Sequence, residues 1–124
     1  MNRLPLTAAL MALTMTGSAL AGSVTPAEVA QRIKDARTVP FLLDVRTAEE
    51  FAEGRVPGAK NIPVKELEAR LAEVPKDKPV VVYCRSGGRA KLADGLLRER
   101  GYRNVSEMEG SMMAWEAAKL PVEK

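Results

Sequence analysis

A single cysteine, Cys84, stands in the segment VVVYCRSGGRAKLA, between an apolar run and a helical pattern, followed directly by Arg85, Ser86, Gly87, Gly88 and Arg89. A thiol becomes a nucleophile as the thiolate, and this setting favours that form. Gly87 and Gly88 permit backbone angles closed to other residues, so successive N–H groups can curl around one point. The start of the following helix brings partial positive charge, and Arg85 and Arg89 bring full charges. The chain contains no histidine. That excludes a Cys–His protease-type mechanism and histidine-based metal sites, and no metal or cofactor is expected.

The elements that hold this loop can be read from hydrophobic spacing. PVVVYC is continuous and β-branched, the pattern of a central parallel strand buried on both faces. FLLDV, residues 41–45, reads as a second buried strand, with Asp44 and Arg46 marking its carboxyl end. TPAEVAQRIKDA begins with Thr25 as N-cap, Pro26 at the first helical position and Glu28 completing a capping box. TAEEFAEG repeats the device with Thr47 and Glu50 and stops at Gly54. Glu49 and Glu50 are therefore expected to cap a helix rather than to form an acid–base pair. RVPGAKNIPV predicts a turn and a brief extended piece. Leu67, Leu71 and Val74 recur at helical spacing up to Pro75, and Ala90, Ala93, Leu96 and Leu97 mark one side of a helix ending at Gly101. NVSEM predicts a last strand and SMMAWEAAKL a last helix, with Met112, Met113 and Trp115 read as core packing and, as the lesser alternative, a hydrophobic rim to the active site.

Strand and helix alternate throughout, which implies α/β architecture: a mostly parallel sheet with helices on both faces. Ligands of such sheets bind at the carboxyl ends of the strands, where Cys84 sits.

The chain has 124 residues, 46% hydrophobic and 28% charged, with a formal net charge of +3. This suits one domain with an ordinary solvated surface, and the charge is too mild for a nucleic-acid or anionic-membrane partner. Residues 1–21 have a positive start at Arg3, an apolar run and small residues at Ala19 and Ala21, the pattern of a signal peptide cleaved after Ala21. The expectation is a mature domain over residues 22–124 in the periplasm, without stable membrane insertion. A lone cysteine there closes no internal disulfide, so its retention points to function.

CRSGGR resembles the active-site loop of the rhodanese family, and LLDVRTAEEF, GRVPGAKNIP and NVSEMEGSMMAWEAAKLPV are similar to its other signatures, in order. The resemblance runs from about Val24 to Val122. It implies a rhodanese-like fold and a sulfurtransferase of the thiosulfate type, with a persulfide on Cys84 passed to cyanide or a thiol. The acceptor must come from outside, as a small molecule or an exported protein. Arg85 would face the anionic donor, and Ser86, Gly87 and Gly88 would supply backbone donors. Arg89 would contact donor or pair with Asp44, the latter favoured by analogy with the family, while Asp44 and Arg46 would support the loop. Two other readings stand beside this one: a partner-specific persulfide carrier, and an arsenate- or phosphate-handling enzyme. Cysteine phosphatases carry one more residue between Cys and Arg than the four here, and the shorter loop suits a single extra sulfur better than a tetrahedral oxyanion. The chain departs from the family pattern at Arg55, where histidine is frequent, and at EGS, where a double glycine is common.

Overall fold

The computed structural model describes residues 22–124; the expected signal peptide and its cleavage site lie outside the described residues. Five strands pair in the order β1-β5-β4-β2-β3. They are β1 (Gly22–Val24), β2 (Phe41–Asp44), β3 (Lys60–Asn61), β4 (Val80–Tyr83) and β5 (Val105–Met108). Every strand pair is parallel, and the isolated bridge between Arg55 and Glu123 is antiparallel.

β4 takes the centre because all four of its residues can be buried. Its period-two alternation then builds two cores. Val80, Val82 and Cys84 join Leu43, Leu67, Ala90, Ala93 and Leu97 on one face, whereas Val81 and Tyr83 join Leu42, Val29, Met112 and Trp115 on the other. Each fully buried valine contributes about 1.5–3 kcal/mol, so the strand that carries the thiol is anchored from both sides. Register does the rest. Asp44 pairs with Tyr83, which brings the carboxyl ends of β2 and β4 level, and the loops beginning at Val45 and Cys84 emerge side by side.

Helices α1 (Pro26–Arg32), α2 (Ala48–Glu53), α3 (Val64–Leu67), α4 (Gly88–Glu99) and α5 (Ser111–Ala117) cover the sheet. Both expected capping boxes form, Thr25 with Glu28 and Thr47 with Glu50. Two helices differ from the spacing. α1 stops four residues before Ala36 because Asp35 captures the Arg37 N–H at 2.8 Å and the Thr38 hydroxyl donates to Arg32 O at 2.9 Å. These side chains offer the backbone an alternative to helix. The stripe through Leu67, Leu71 and Val74 continues beyond α3 as a 3-10 segment, Glu68–Glu73, broken at Arg70, which lies at φ −118°. Arg70 spans the break, reaching Glu66 at 2.7 Å and Glu73 at 2.8 Å. Among the described residues no helix is long and apolar enough to cross a membrane.

Candidate active site

Cys84 is the first residue beyond β4, and its side chain is 1% exposed. Arg85, Ser86 and Gly87 carry the chain over it into α4. Gly87 has φ 132°, a region that strains any residue with a Cβ. That conformation turns its N–H inward to donate to Cys84 Sγ at 3.0 Å. The contact, at the start of α4, stabilises negative charge on sulfur. Ser86 and Gly88 are exposed on the outside of the turn. Among the described residues, then, Gly87 supplies the amide that meets the sulfur.

The loop is fastened from a second helix. The first N–H groups of any helix lack intrahelical partners, and Gly110, preceding α5, has no side chain to cap them. Loop carbonyls take that place: Met112 N–H donates to Cys84 O and Met113 N–H to Arg85 O, both at 3.0 Å. Ser111 adds a side chain, its Oγ accepting the Cys84 N–H at 3.1 Å.

Beneath lies a buried polar cluster. Asp44 is fully buried and Arg46 is 6% exposed. Arg46 donates to Asp44 from its backbone N–H at 2.9 Å and from Nη2 at 2.7 Å, and Nη2 also reaches Gly54 O at 2.7 Å. Burial opposes the Arg46 charge, but the Asp44 hydrogen bond and attraction outweigh it and raise its pKa. Tyr83 OH accepts the Val56 N–H at 3.1 Å. Burial above all, with the Asp44 carboxylate beside it, pushes the phenol pKa upward and keeps it protonated. Asp44 and Arg46 thus satisfy each other, and Arg46 carries the contact on to Gly54 O. Removing one partner of such a pair costs about 3–5 kcal/mol, because the other charge stays buried alone.

Arg89 corrects the family analogy. It pairs with Glu50, not Asp44, in a two-pronged contact: Nη1 to Oε1 at 2.7 Å and Nη2 to Oε2 at 3.1 Å. The reason is occupancy. Asp44 already receives Arg46, whereas Glu50 on α2 presents both oxygens towards α4. The Arg89 hydrogen bonds hold the Glu50 carboxyl down to about 2, the Thr47 contacts adding to the effect. Hydrogen bonding to Glu50 raises the Arg89 pKa against the opposing effect of burial, with smaller contributions from the Glu50, Cys84 and Asp44 charges.

Arg85 is exposed and lines a cavity of about 90 Å³ beside the loop, with Glu53, Glu116, Met112 and Met113 among its walls. Met113 is 49% exposed there. It forms a rim rather than core, while Met112 and Trp115 are buried as expected, because the α5 register turns Met113 towards the loop. Among the described residues no group of three or more His, Cys, Asp or Glu is arranged to hold a metal ion. Spacing alone did not reveal Ser111 or the Glu50–Arg89 pair. The one sequence signal for Ser111 was its place in EGS, where glycine was the expected residue.

Residues 25–118 match the family model for the Rhodanese-like domain. A sulfurtransferase of Allochromatium vinosum is 39% identical over 94 residues, covering 76% of this chain and 87% of its own. The human thiosulfate:glutathione sulfurtransferase is 40% identical over 88 residues, covering 60% of this chain and 76% of its own. The crystal structure of a rhodanese-related protein from Thermoplasma volcanium superposes with a TM-score of 0.73 at 30% identity, covering 82% of this chain and 96% of that one.

Proposed function

The chain belongs to the rhodanese-like domain family, and from that premise we propose that it is a sulfurtransferase of the thiosulfate type working through a persulfide on Cys84. Relatives named as sulfurtransferases support the general activity. The observation that carries the residue assignment is the Gly87 N–H aimed at the one sulfur nucleophile from 3.0 Å.

In the first half-reaction Cys84 thiolate attacks the outer sulfur of thiosulfate. The new S–S bond forms as the old one breaks, and its electron pair leaves on sulfite. Arg85, on the adjacent cavity wall, balances the anionic donor and the departing sulfite, while Arg89 holds the loop and favours negative charge on sulfur. In the second half-reaction an external thiolate or cyanide attacks the outer sulfur and Cys84 thiolate departs. Two half-reactions through a covalent intermediate give ping-pong kinetics. The signal-like first 21 residues support a periplasmic site of action, with small thiols or an exported protein as acceptor.

Incubation with thiosulfate should add one sulfur to the intact mass of the protein but not to Cys84→Ala, and cyanide should then remove it as thiocyanate. A wild-type mass that stays unchanged overturns the proposal. A stable persulfide with negligible thiocyanate would identify a carrier instead. Arsenate or phosphate-ester turnover lost in Cys84→Ala would establish the oxyanion reading.

A further inference from the structure

We propose that Ser111 is a positioning residue for the sulfur of Cys84. Its hydroxyl has one proton to donate and lone pairs to accept. The Oγ accepts the Cys84 N–H at 3.1 Å, so the O–H must point elsewhere. Ser111 is fully buried, and a buried donor needs an acceptor within the protein. The acceptor available is Cys84 Sγ, at 4.0 Å. One oxygen thus fixes the backbone of Cys84 and turns a dipole towards its sulfur, which already receives the Gly87 N–H at 3.0 Å. The longer distance makes Ser111 the weaker of the two donors.

Conformation supports the same conclusion. Ser111 lies at φ 52° and Gly110 at φ 71°, both in the left-handed region where glycine is the undemanding residue. Glycine at 111 would relieve the backbone and lose the hydroxyl. A side chain held in a conformation that disfavours side chains, touching the reactive residue twice, serves the sulfur rather than the fold.

The test is the rate of Cys84 alkylation by iodoacetamide against pH, in wild type, Ser111→Ala and Ser111→Gly, with melting temperatures measured alongside. Ser111→Gly should melt above Ser111→Ala. Both should nevertheless react about three- to tenfold more slowly at neutral pH, as expected when a weak hydrogen bond to an anion is lost. Both profiles should move to higher pH and reach the wild-type rate at its alkaline limit. A wild-type profile in Ser111→Gly overturns the proposal, as does a loss of rate that is uniform across pH or that follows the melting temperatures. The proposal rests on Cys84 as the reactive sulfur. Normal alkylation without sulfur loading from thiosulfate would end the proposed reaction and leave the role of Ser111 standing.

Discussion

Two capping boxes open helices α1 and α2 with the same chemistry. In each, the threonine hydroxyl accepts the glutamate N–H at 3.1 Å, and the glutamate returns to the threonine N–H, at 2.8 Å from Glu28 and 3.0 Å from Glu50. Their surroundings differ. Glu28 is exposed, its carboxyl pKa lowered mainly by the Thr25 hydrogen bonds. Glu50 is partly buried and also takes both guanidinium nitrogens of Arg89, across 39 positions of sequence. A local motif that does only local work in α1 therefore anchors the loop over Cys84 in α2. The second duty comes from the level register of β2 and β4, which sets the start of α2 opposite the start of α4.

The sharpest way to break this comparison is to remove each glutamate. Glu50→Ala loses a cap contact and a two-pronged ion pair, and should cost about 1.5–2.5 kcal/mol in denaturant unfolding. It should also slow thiosulfate loading severalfold, as read by intact mass. Glu28→Ala should cost less and leave loading at the wild-type rate. Equal effects on loading would show that Glu50 merely caps its helix.

Acid titration gives a smaller contrast. Glu50 sits near 2 when folded, against an ordinary value of 4.5. A depressed folded pKa supplies stability that is present above the unfolded value and lost as pH falls through the folded one. Unfolding measured between about pH 4.5 and 2 should show wild type losing stability more steeply than Glu50→Gln. The smallest effect is expected from Arg89→Lys, which keeps the charge but not the fork that matches both carboxylate oxygens. About 0.5–1 kcal/mol should be lost, and a double-mutant cycle with Glu50→Gln should show the coupling.

Strands β2 to β5 and the turn over Cys84 were legible because their signals are local, whereas β1, three residues long at Gly22–Val24, carries no apolar run to announce it. A four-residue apolar run announces a central strand, Thr-x-x-Glu announces a helix start, and two glycines after a cysteine announce a tight turn over it, from which the Gly87 N–H reaches Sγ. The partner of Arg89 was not legible. Asp44 and Glu50 are both acidic and both close by in the fold, and only the three-way contact of Arg46, Asp44 and Gly54 O shows that Asp44 is taken. The break at Arg70 was hidden for the same reason, since Leu67, Leu71 and Val74 keep helical spacing through it. For Met113 the lesser reading, a rim rather than core, holds, because α5 is short and its facing is set by carbonyls of a distant loop rather than by its own periodicity.

The burial of Cys84 makes the two proposed half-reactions sterically unequal. At 1% exposure Cys84 lies below the surface, where bulk in an approaching reagent counts against it. Once a persulfide forms, the atom to be attacked is a second sulfur about 2 Å from Cys84 Sγ. In the proposed reaction the depth of Cys84 therefore acts first on loading, as a limit on what can supply sulfur, while unloading depends on how far the added atom reaches.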